Sequence, residues 1–266
     1  MNNPANVFAD ERAPVALREK APIGYGLFIA QLVTVIVVYL IMSFLPAIPA
    51  LVAQVQAGDT GEPDLDSATV AATIMVGMAS ALFVAWLWLR REGRVAEAWN
   101  FARPDSWPRT LAIAAAATGG TIAIFVGGTA LVEALGLPAP DATFVLELVT
   151  ESPLMFALWI VGVAILAAGL GEEMLWRGFL MDRLERLGGL RGRLWLVLIV
   201  QAVLFGLPHS YQGAGGMIVT GMVGLLFGWI RIMQRGNLWS VFLAHAAVDV
   251  IMMSVAYAGE LELMTG

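Results

Sequence analysis

The sequence has 266 residues, of which 59% are hydrophobic and 14% are charged, with a mean hydropathy of +0.78 and a net charge of -6. Soluble domains are usually about 45–50% apolar and about 25% charged, so this composition excludes an ordinary soluble domain. Cysteine is absent, which excludes disulfides, thiolate nucleophiles and cysteine metal ligands. Nothing in the sequence supports nucleic-acid binding.

Apolar runs recur along the whole sequence at about 20 residues each, the length that a helix needs to cross the hydrocarbon core. They do not show the alternation that membrane β-strands require. We therefore predict an all-α, polytopic transmembrane helical bundle of about seven spans. The predicted spans are Tyr25–Phe44, Ala68–Leu89, Leu111–Leu135, Leu154–Gly171 and beyond, Leu194–Leu207, Met217–Ile230 and Leu238–Tyr257.

The fifth and sixth predicted spans are short for a bilayer, which indicates that helical structure continues through Pro208 and the Gly213–Gly216 stretch. The predicted organisation has four parts. It has a cytosolic tail (1–23), N-terminal transmembrane helices (24–152), a C-terminal helical core (153–258) and a short tail (259–266).

Lysine and arginine in short loops set the orientation of a membrane protein. Loops that carry these residues alternate here with loops that have none. The basic residues are Arg12, Arg18 and Lys20 before the first span, Arg90, Arg91, Arg94, Arg103 and Arg109 after the second, Arg183, Arg186, Arg191 and Arg193 after the fourth, and Arg231 and Arg235 after the sixth. We therefore predict a cytosolic N-terminus and an external C-terminus.

Several ionisable residues fall inside the predicted spans of the C-terminal half. Such groups are costly in a membrane, face the bundle interior and by default mark a functional site. They are Glu172, Glu173, Arg177, His209, His245 and Asp249, and they include both histidines of the chain.

Helical spacing sorts these residues, because side chains four apart share a face and neighbours point about 100° apart. Glu173 and Arg177 therefore predict a structural ion pair, which leaves Glu172 without a local partner. His245 and Asp249 have the same spacing, so the carboxylate can orient the imidazole. This second pair could also be a hydrogen-bonding pair that only holds the bundle together.

Other intramembrane proteases need motifs that the sequence lacks. It has no H-E-x-x-H, no G-x-S-x-G and only one intramembrane aspartate, which excludes a site-2-type zinc site, a serine elbow and a two-aspartate site. Three motifs instead resemble the CPBP family, the type II CAAX prenyl endopeptidases and their bacterial relatives. They are E-E-x-x-x-R from Glu172 to Arg177, F-x-x-x-H from Phe205 to His209, and H-x-x-x-[N/D] from His245 to Asp249.

The resemblance implies an intramembrane endopeptidase in which Glu172 and His209 activate a water molecule. It further implies that His245 and the residue at position 249 stabilise the tetrahedral oxyanion. No cofactor is certain, but Glu172, His209, His245 and Asp249 could also supply nitrogen and oxygen ligands to zinc, so a glutamate-type enzyme and a metalloprotease both stay open. The expected partners are the lipid bilayer and a membrane-associated protein or peptide substrate.

The composition, rich in arginine and alanine, is typical of bacteria and predicts a multi-pass protein of the bacterial inner membrane. Two other functions stay open. Buried carboxylates and histidines also build proton- or ion-coupled transporters, although the paired broken helices of such proteins are not found here. A non-catalytic membrane scaffold or immunity protein could keep the same fold.

Overall fold

The computed structural model of the chain describes residues 21–265, and most of the predicted N-terminal tail lies outside them. The described residues form helices and no strand, which confirms the predicted all-α polytopic bundle. The helices are α1 (Tyr25–Phe44), α2 (Ile48–Gln56), α3 (Ser67–Arg91), α4 (Val95–Ala98), α5 (Trp107–Ala134), α6 (Thr143–Thr150), α7 (Pro153–Leu158), a π-helix (Trp159–Leu180), α8 (Met181–Leu184), α9 (Leu194–Gly206), a 3-10 turn (Leu207–Gln212), α10 (Gly213–Met233) and α11 (Trp239–Thr265).

Polar residues at the helix ends explain where two of the long helices begin. The Oδ1 atom of Asp66 accepts a hydrogen bond of 2.6 Å from the backbone of Thr69 and caps α3. The hydroxyl of Ser152 caps α7 in the same way, at 3.2 Å from the backbone nitrogen of Met155. These side chains satisfy backbone N–H groups that have no partner inside the helix. Both caps therefore fix the register in which the following apolar run enters the bundle.

Six helical stretches in the described part of the chain are long and apolar enough to cross a membrane. The fifth, Leu194–Met233, joins the predicted fifth and sixth spans through the 3-10 turn, so helical structure does continue through Pro208. Its two arms pack side by side and antiparallel. Gly206 lies against the backbone of Met217, and Gln201, farther from the turn, lies against Gly228. A side chain on Gly206 would collide with that backbone, so glycine permits the close approach.

The continuous helix Pro153–Leu184, called here the central helix, lies in the middle of the bundle. It packs against α3 on one side and α11 on the other, while α10 packs against α5 and α9. Trp159, only 1% exposed, donates a hydrogen bond of 2.8 Å to the hydroxyl of Ser67 on α3. The central helix therefore carries its side chains into the interior, where an ionisable group must find a partner.

A network of charges holds the C-terminal end of the central helix. Asp182 pairs with Arg94 at 2.5 Å, and Glu92 pairs with Arg183 at 2.9 Å and with Arg186 at 2.6 Å. Burial opposes ionisation of Glu92, but the hydrogen bond from Arg186 and the charge of Arg183 hold the pKa of that carboxyl below its usual value. The network joins the segment after α3 to the C-terminal end of the central helix and to Arg186, which follows it.

Single cysteines offer a test of the predicted orientation, because the chain has no cysteine of its own. Thr60, Thr143 and Gly259 are exposed on one side of the predicted topology, and Ala96 and Asp105 are exposed on the other. We expect cysteines at the first three positions to react with an impermeant thiol reagent added to intact cells. Cysteines at the other two should react only after the membrane is permeabilised. The opposite pattern would overturn the assignment of a cytosolic N-terminus.

Candidate active site

Glu173 and Arg177 form a fully buried ion pair within the π-helical section of the central helix. The Nη1 atom of Arg177 donates to Oε1 of Glu173 at 2.9 Å, and both side chains are 0% exposed. The structure therefore brings together the two residues that the i, i+4 spacing predicts as a pair. Burial of two charges is costly unless their geometry is good, so the pair needs its surroundings to hold it in place.

Glu173 also forms a hydrogen bond with His245, for which the helical spacing predicts Asp249 as the partner. The Nδ1 atom of His245 lies 2.8 Å from Oε1 of Glu173, the same oxygen that accepts from Arg177. The Oδ2 atom of Asp249 lies 3.7 Å from Nε2 of His245, beyond hydrogen-bond distance. Asp249 therefore forms the ion pair with His245 that the spacing predicts, while the imidazole makes its hydrogen bond with Glu173 on another helix. Helical spacing identifies partners on the same helix only.

A close approach of two helices brings Glu173 and His245 together. A Cβ atom on Gly169 of the central helix would lie 2.8 Å from the Cβ of Ala246 on α11, so only glycine fits there. Gly169 is one helical turn before Glu173, and Ala246 directly follows His245. The small residue therefore sets the separation across which the imidazole reaches the carboxylate.

His209 lies in the 3-10 turn that links α9 to α10, and its backbone is not helical (φ -84°, ψ 17°). Its Nδ1 atom is 3.0 Å from the carbonyl oxygen of Phe205. A carbonyl oxygen can only accept a hydrogen bond, so Nδ1 carries the hydrogen and the neutral ring has its lone pair on Nε2. The F-x-x-x-H spacing thus fixes one tautomer of His209 and presents Nε2 as an acceptor.

Glu172 has no ion pair of its own among residues 21–265, unlike Glu173. The Oε2 atoms of both residues are buried without a hydrogen-bond partner in that part of the chain, but Oε1 of Glu173 is engaged by Arg177 and His245. His245 and Asp249 both interact with Glu172 electrostatically. Because neighbouring positions on a helix point in different directions, Glu172 does not share the contacts of Glu173. Its free oxygen is therefore available to a water molecule or a substrate group.

The ring of Phe205 packs against both histidines and against Arg177 of the ion pair. Its ring centroid lies 5.2 Å from the His209 ring and 6.4 Å from the His245 ring, and the Cζ atom of Arg177 lies 3.9 Å above it. Residues 172, 173, 177, 209, 245 and 249 therefore surround one region of the bundle, although the motifs that contain them lie on three separate helical segments.

Two tyrosines beside this region belong to none of the three motifs. Glu172 interacts electrostatically with Tyr39 of α1 and with Tyr211 of the 3-10 turn. The Tyr211 ring lies 6.0 Å from the His209 ring, and its hydroxyl accepts a hydrogen bond of 2.9 Å from Gln212. No spacing rule links α1 to the central helix, so the sequence gives no signal for Tyr39. Tyr39 is therefore a residue of the N-terminal half within electrostatic range of Glu172.

The ligand set proposed for zinc does not assemble in this arrangement. No group of three or more His, Asp or Glu side chains in the described part of the chain could hold a metal ion. The Nδ1 atoms of His209 and His245 are engaged by Phe205 and Glu173, which leaves Nε2 of each ring. The described side chains, as they are placed, are not grouped as a metal site.

The fold and the site define a polytopic membrane protein with a Glu/His constellation buried between its helices. Residues 153–251 match the family described as type II CAAX prenyl endopeptidase Rce1-like. This segment belongs to the Rce1-like family, which confirms the resemblance and indicates a CAAX-protease-like endopeptidase of the membrane. No curated protein and no solved structure matches the chain.

Proposed function

We propose that the protein is a glutamate-type intramembrane endopeptidase that hydrolyses peptide bonds of membrane-associated proteins. The observation that carries the proposal is that Glu172, unlike Glu173, has no hydrogen bond to a cation among the described residues. Oε1 of Glu173 accepts from Arg177 and His245, whereas Glu172 has a buried Oε2 atom without a hydrogen-bond partner. A positioned carboxylate that no cation hydrogen-bonds can take a proton from water.

In the proposed reaction, Glu172 accepts a proton from a water molecule while the water oxygen attacks the carbonyl carbon of the scissile bond. His209 accepts the second hydrogen bond of that water at Nε2 and orients it. The carbonyl oxygen becomes an oxyanion. When the tetrahedral intermediate collapses, the carbon–nitrogen bond breaks and Glu172 returns its proton to the leaving amine.

His245 is proposed to stabilise the oxyanion. Its Nδ1–H donates to Glu173, so the ring is oriented, and when both nitrogens are protonated the Nε2–H is free to donate to the developing charge. Glu173 therefore acts as a positioning residue for His245 as well as the partner of Arg177. A buried acceptor on Nδ1 that leaves Nε2 for chemistry is also how the serine-protease triad orients its histidine.

Asp249 is proposed to contribute less than its place in a motif indicates. Its side chain is 27% exposed and lies 3.7 Å from Nε2 of His245, so it forms an ion pair without a hydrogen bond. We further propose that the enzyme resides in a bacterial inner membrane with its N-terminus in the cytosol. The substrates need carry no prenyl group, because the catalytic groups act on the peptide bond alone.

The direct test compares the N-termini of membrane proteins in cells that express the wild-type chain and in cells that express Glu172→Gln. We expect a set of new termini that appears with the wild type only. Identical termini in both strains would overturn the protease assignment, and ion flux in proteoliposomes that depends on Glu172 would then favour a transporter. A reporter fused to a cleaved segment supplies the substrate for the kinetic experiments below.

Asp249→Asn is expected to keep activity within about tenfold of the wild type, because the hydrogen bond that orients His245 is made with Glu173. His245→Ala is expected to lose about 10²–10³ in rate, the usual cost of one oxyanion donor. Asp249→Leu should fall between them. The measurement is reporter cleavage in detergent for the three variants, with bound metal determined on the same samples.

A metal-ligand role for Asp249 predicts a different result. A neutral amide is a much poorer zinc ligand than a carboxylate, so Asp249→Asn would lose bound metal and activity together. If Asp249→Asn proved as inactive as Asp249→Leu and its metal disappeared, a metalloprotease mechanism would replace the glutamate mechanism proposed here.

A further inference from the structure

The guanidinium group of Arg177 is held mostly by aromatic rings. Only Nη1 makes a hydrogen bond, and the buried Nε and Nη2 atoms have no such partner within residues 21–265. The Cζ atom lies 3.9 Å from the ring centroid of Phe205 and 5.3 Å from that of Phe227. The interaction of a cation with a ring face is strongest where water is excluded, as it is around this fully buried side chain.

Phe227 packs against His245 as well as against Arg177. Its ring centroid lies 5.6 Å from the ring of His245, at an interplanar angle of 55°. Phe227 is 0% exposed on α10 and is a member of none of the three motifs. One aromatic ring therefore touches both Arg177 and His245, the two groups that donate to the same oxygen of Glu173.

We propose that Phe227 is a positioning residue that holds Arg177 and His245 so that both reach Glu173. The catalytic consequence rests on the proposed function, whereas the positioning does not depend on it. Arg177 and His245 both donate a hydrogen bond to Oε1 of Glu173. Either side chain could rotate away from this oxygen if the space beside it were open. The Phe227 ring occupies that space next to both side chains.

Phe179 provides a matched control, because it is an equally buried phenylalanine beneath an arginine outside the site. It is 2% exposed, and the Cζ atom of Arg183 lies 5.0 Å from its ring centroid. Phe179→Met removes a ring, a cation–ring contact and little volume, as Phe227→Met does. The two variants should therefore lose similar stability, and only the Phe227 variant should disturb His245.

Histidine NMR tests the positioning directly. The chain has two histidines, so a sample labelled with ¹⁵N in the imidazole rings gives few signals, and His245→Ala assigns them. We expect the wild type to show a hydrogen-bonded Nδ1–H proton for His245 that exchanges slowly with water. This signal should be lost in Phe227→Met and kept in Phe179→Met. Phe227→Tyr, which keeps the ring face, should keep it too.

Reporter cleavage supplies the catalytic readout on the same samples. Phe227→Met should lower kcat about tenfold with little change in KM, since positioning matters in the transition state and the Arg177 contact is desolvated. In a His245→Ala background the same change should cost nothing further.

The outcomes separate the two proposals. An unchanged Nδ1–H signal in Phe227→Met, or a kcat equal to that of Phe179→Met, would overturn the role of Phe227. Loss of the signal in Phe227→Met, together with membrane-protein termini that are identical in the wild-type and Glu172→Gln strains, would support the positioning and reject the proposed protease function.

Discussion

Glu172→Gln is expected to lower the rate of reporter cleavage about 10²–10⁴-fold, the usual contribution of a general base. The temperature of unfolding should stay close to that of the wild type, because Oε2 of Glu172 has no hydrogen bond to lose within the described residues. The glutamine amide fills the same space but cannot take a proton from water. The measurement is kcat in detergent together with thermal unfolding of the same preparation.

Glu147→Gln is the control for this variant, because it makes the same chemical change at an exposed position on α6. It should match the wild type in both rate and stability. Equal turnover of wild type and Glu172→Gln would refute the assignment of the general base. A large drop in the unfolding temperature of Glu172→Gln would indicate that the residue has a structural role instead.

Contacts within one helical segment could be predicted from the sequence. The spacing of Glu173 and Arg177 predicts the ion pair, and the structure places their atoms 2.9 Å apart. The spacing of Phe205 and His209 predicts a shared face, and the structure joins them through Nδ1 and the backbone carbonyl. In both cases the two residues are neighbours along one helical segment, so their separation is set by helix geometry.

Contacts between helices could not be predicted from spacing. His245 has a carboxylate four residues later, and helix geometry alone favours Asp249 as its partner. The structure keeps Asp249 at 3.7 Å but adds a closer partner, Glu173, which is 72 residues away and lies at 2.8 Å. That contact depends on the close approach of Gly169 and Ala246, a property of two packed helices that no periodicity along one of them reveals.

The same limit explains why Phe227 carries no sequence signal. A phenylalanine in an apolar run is typical of packing, and α10 is apolar along most of its length. Its role becomes visible only when Arg177 and His245 are seen against its ring. The pairing of α9 with α10 is a second contact between helices that spacing does not reveal. α9 ends at Gly206, and the 3-10 turn that contains Pro208 links it to α10. The antiparallel packing of the two helices depends on contacts made by residues of both.

Glu173→Gln is expected to lower both stability and rate, unlike Glu172→Gln. The free energy of unfolding should fall by about 3–5 kcal/mol, because the fully buried Arg177 loses the carboxylate to which it is hydrogen-bonded. The rate should fall about 10²–10³-fold, the cost of an oxyanion donor. The glutamine oxygen can still accept from both donors, but it carries no charge. A doubly protonated His245 is then repelled by an uncompensated Arg177, and the Nε2–H donor is lost.

Glu185→Gln separates the catalytic part of this effect from the structural part. Glu185 forms an ion pair with Arg231, whose side chain is 4% exposed, and neither residue belongs to the three motifs. The control should therefore lose stability while kcat of the folded fraction stays near the wild-type value. Thermal unfolding and kcat, measured at a temperature where all three proteins are folded, give the comparison. If Glu173→Gln resembled Glu185→Gln in rate as well as in stability, Glu173 would serve Arg177 alone, and another group would have to orient His245.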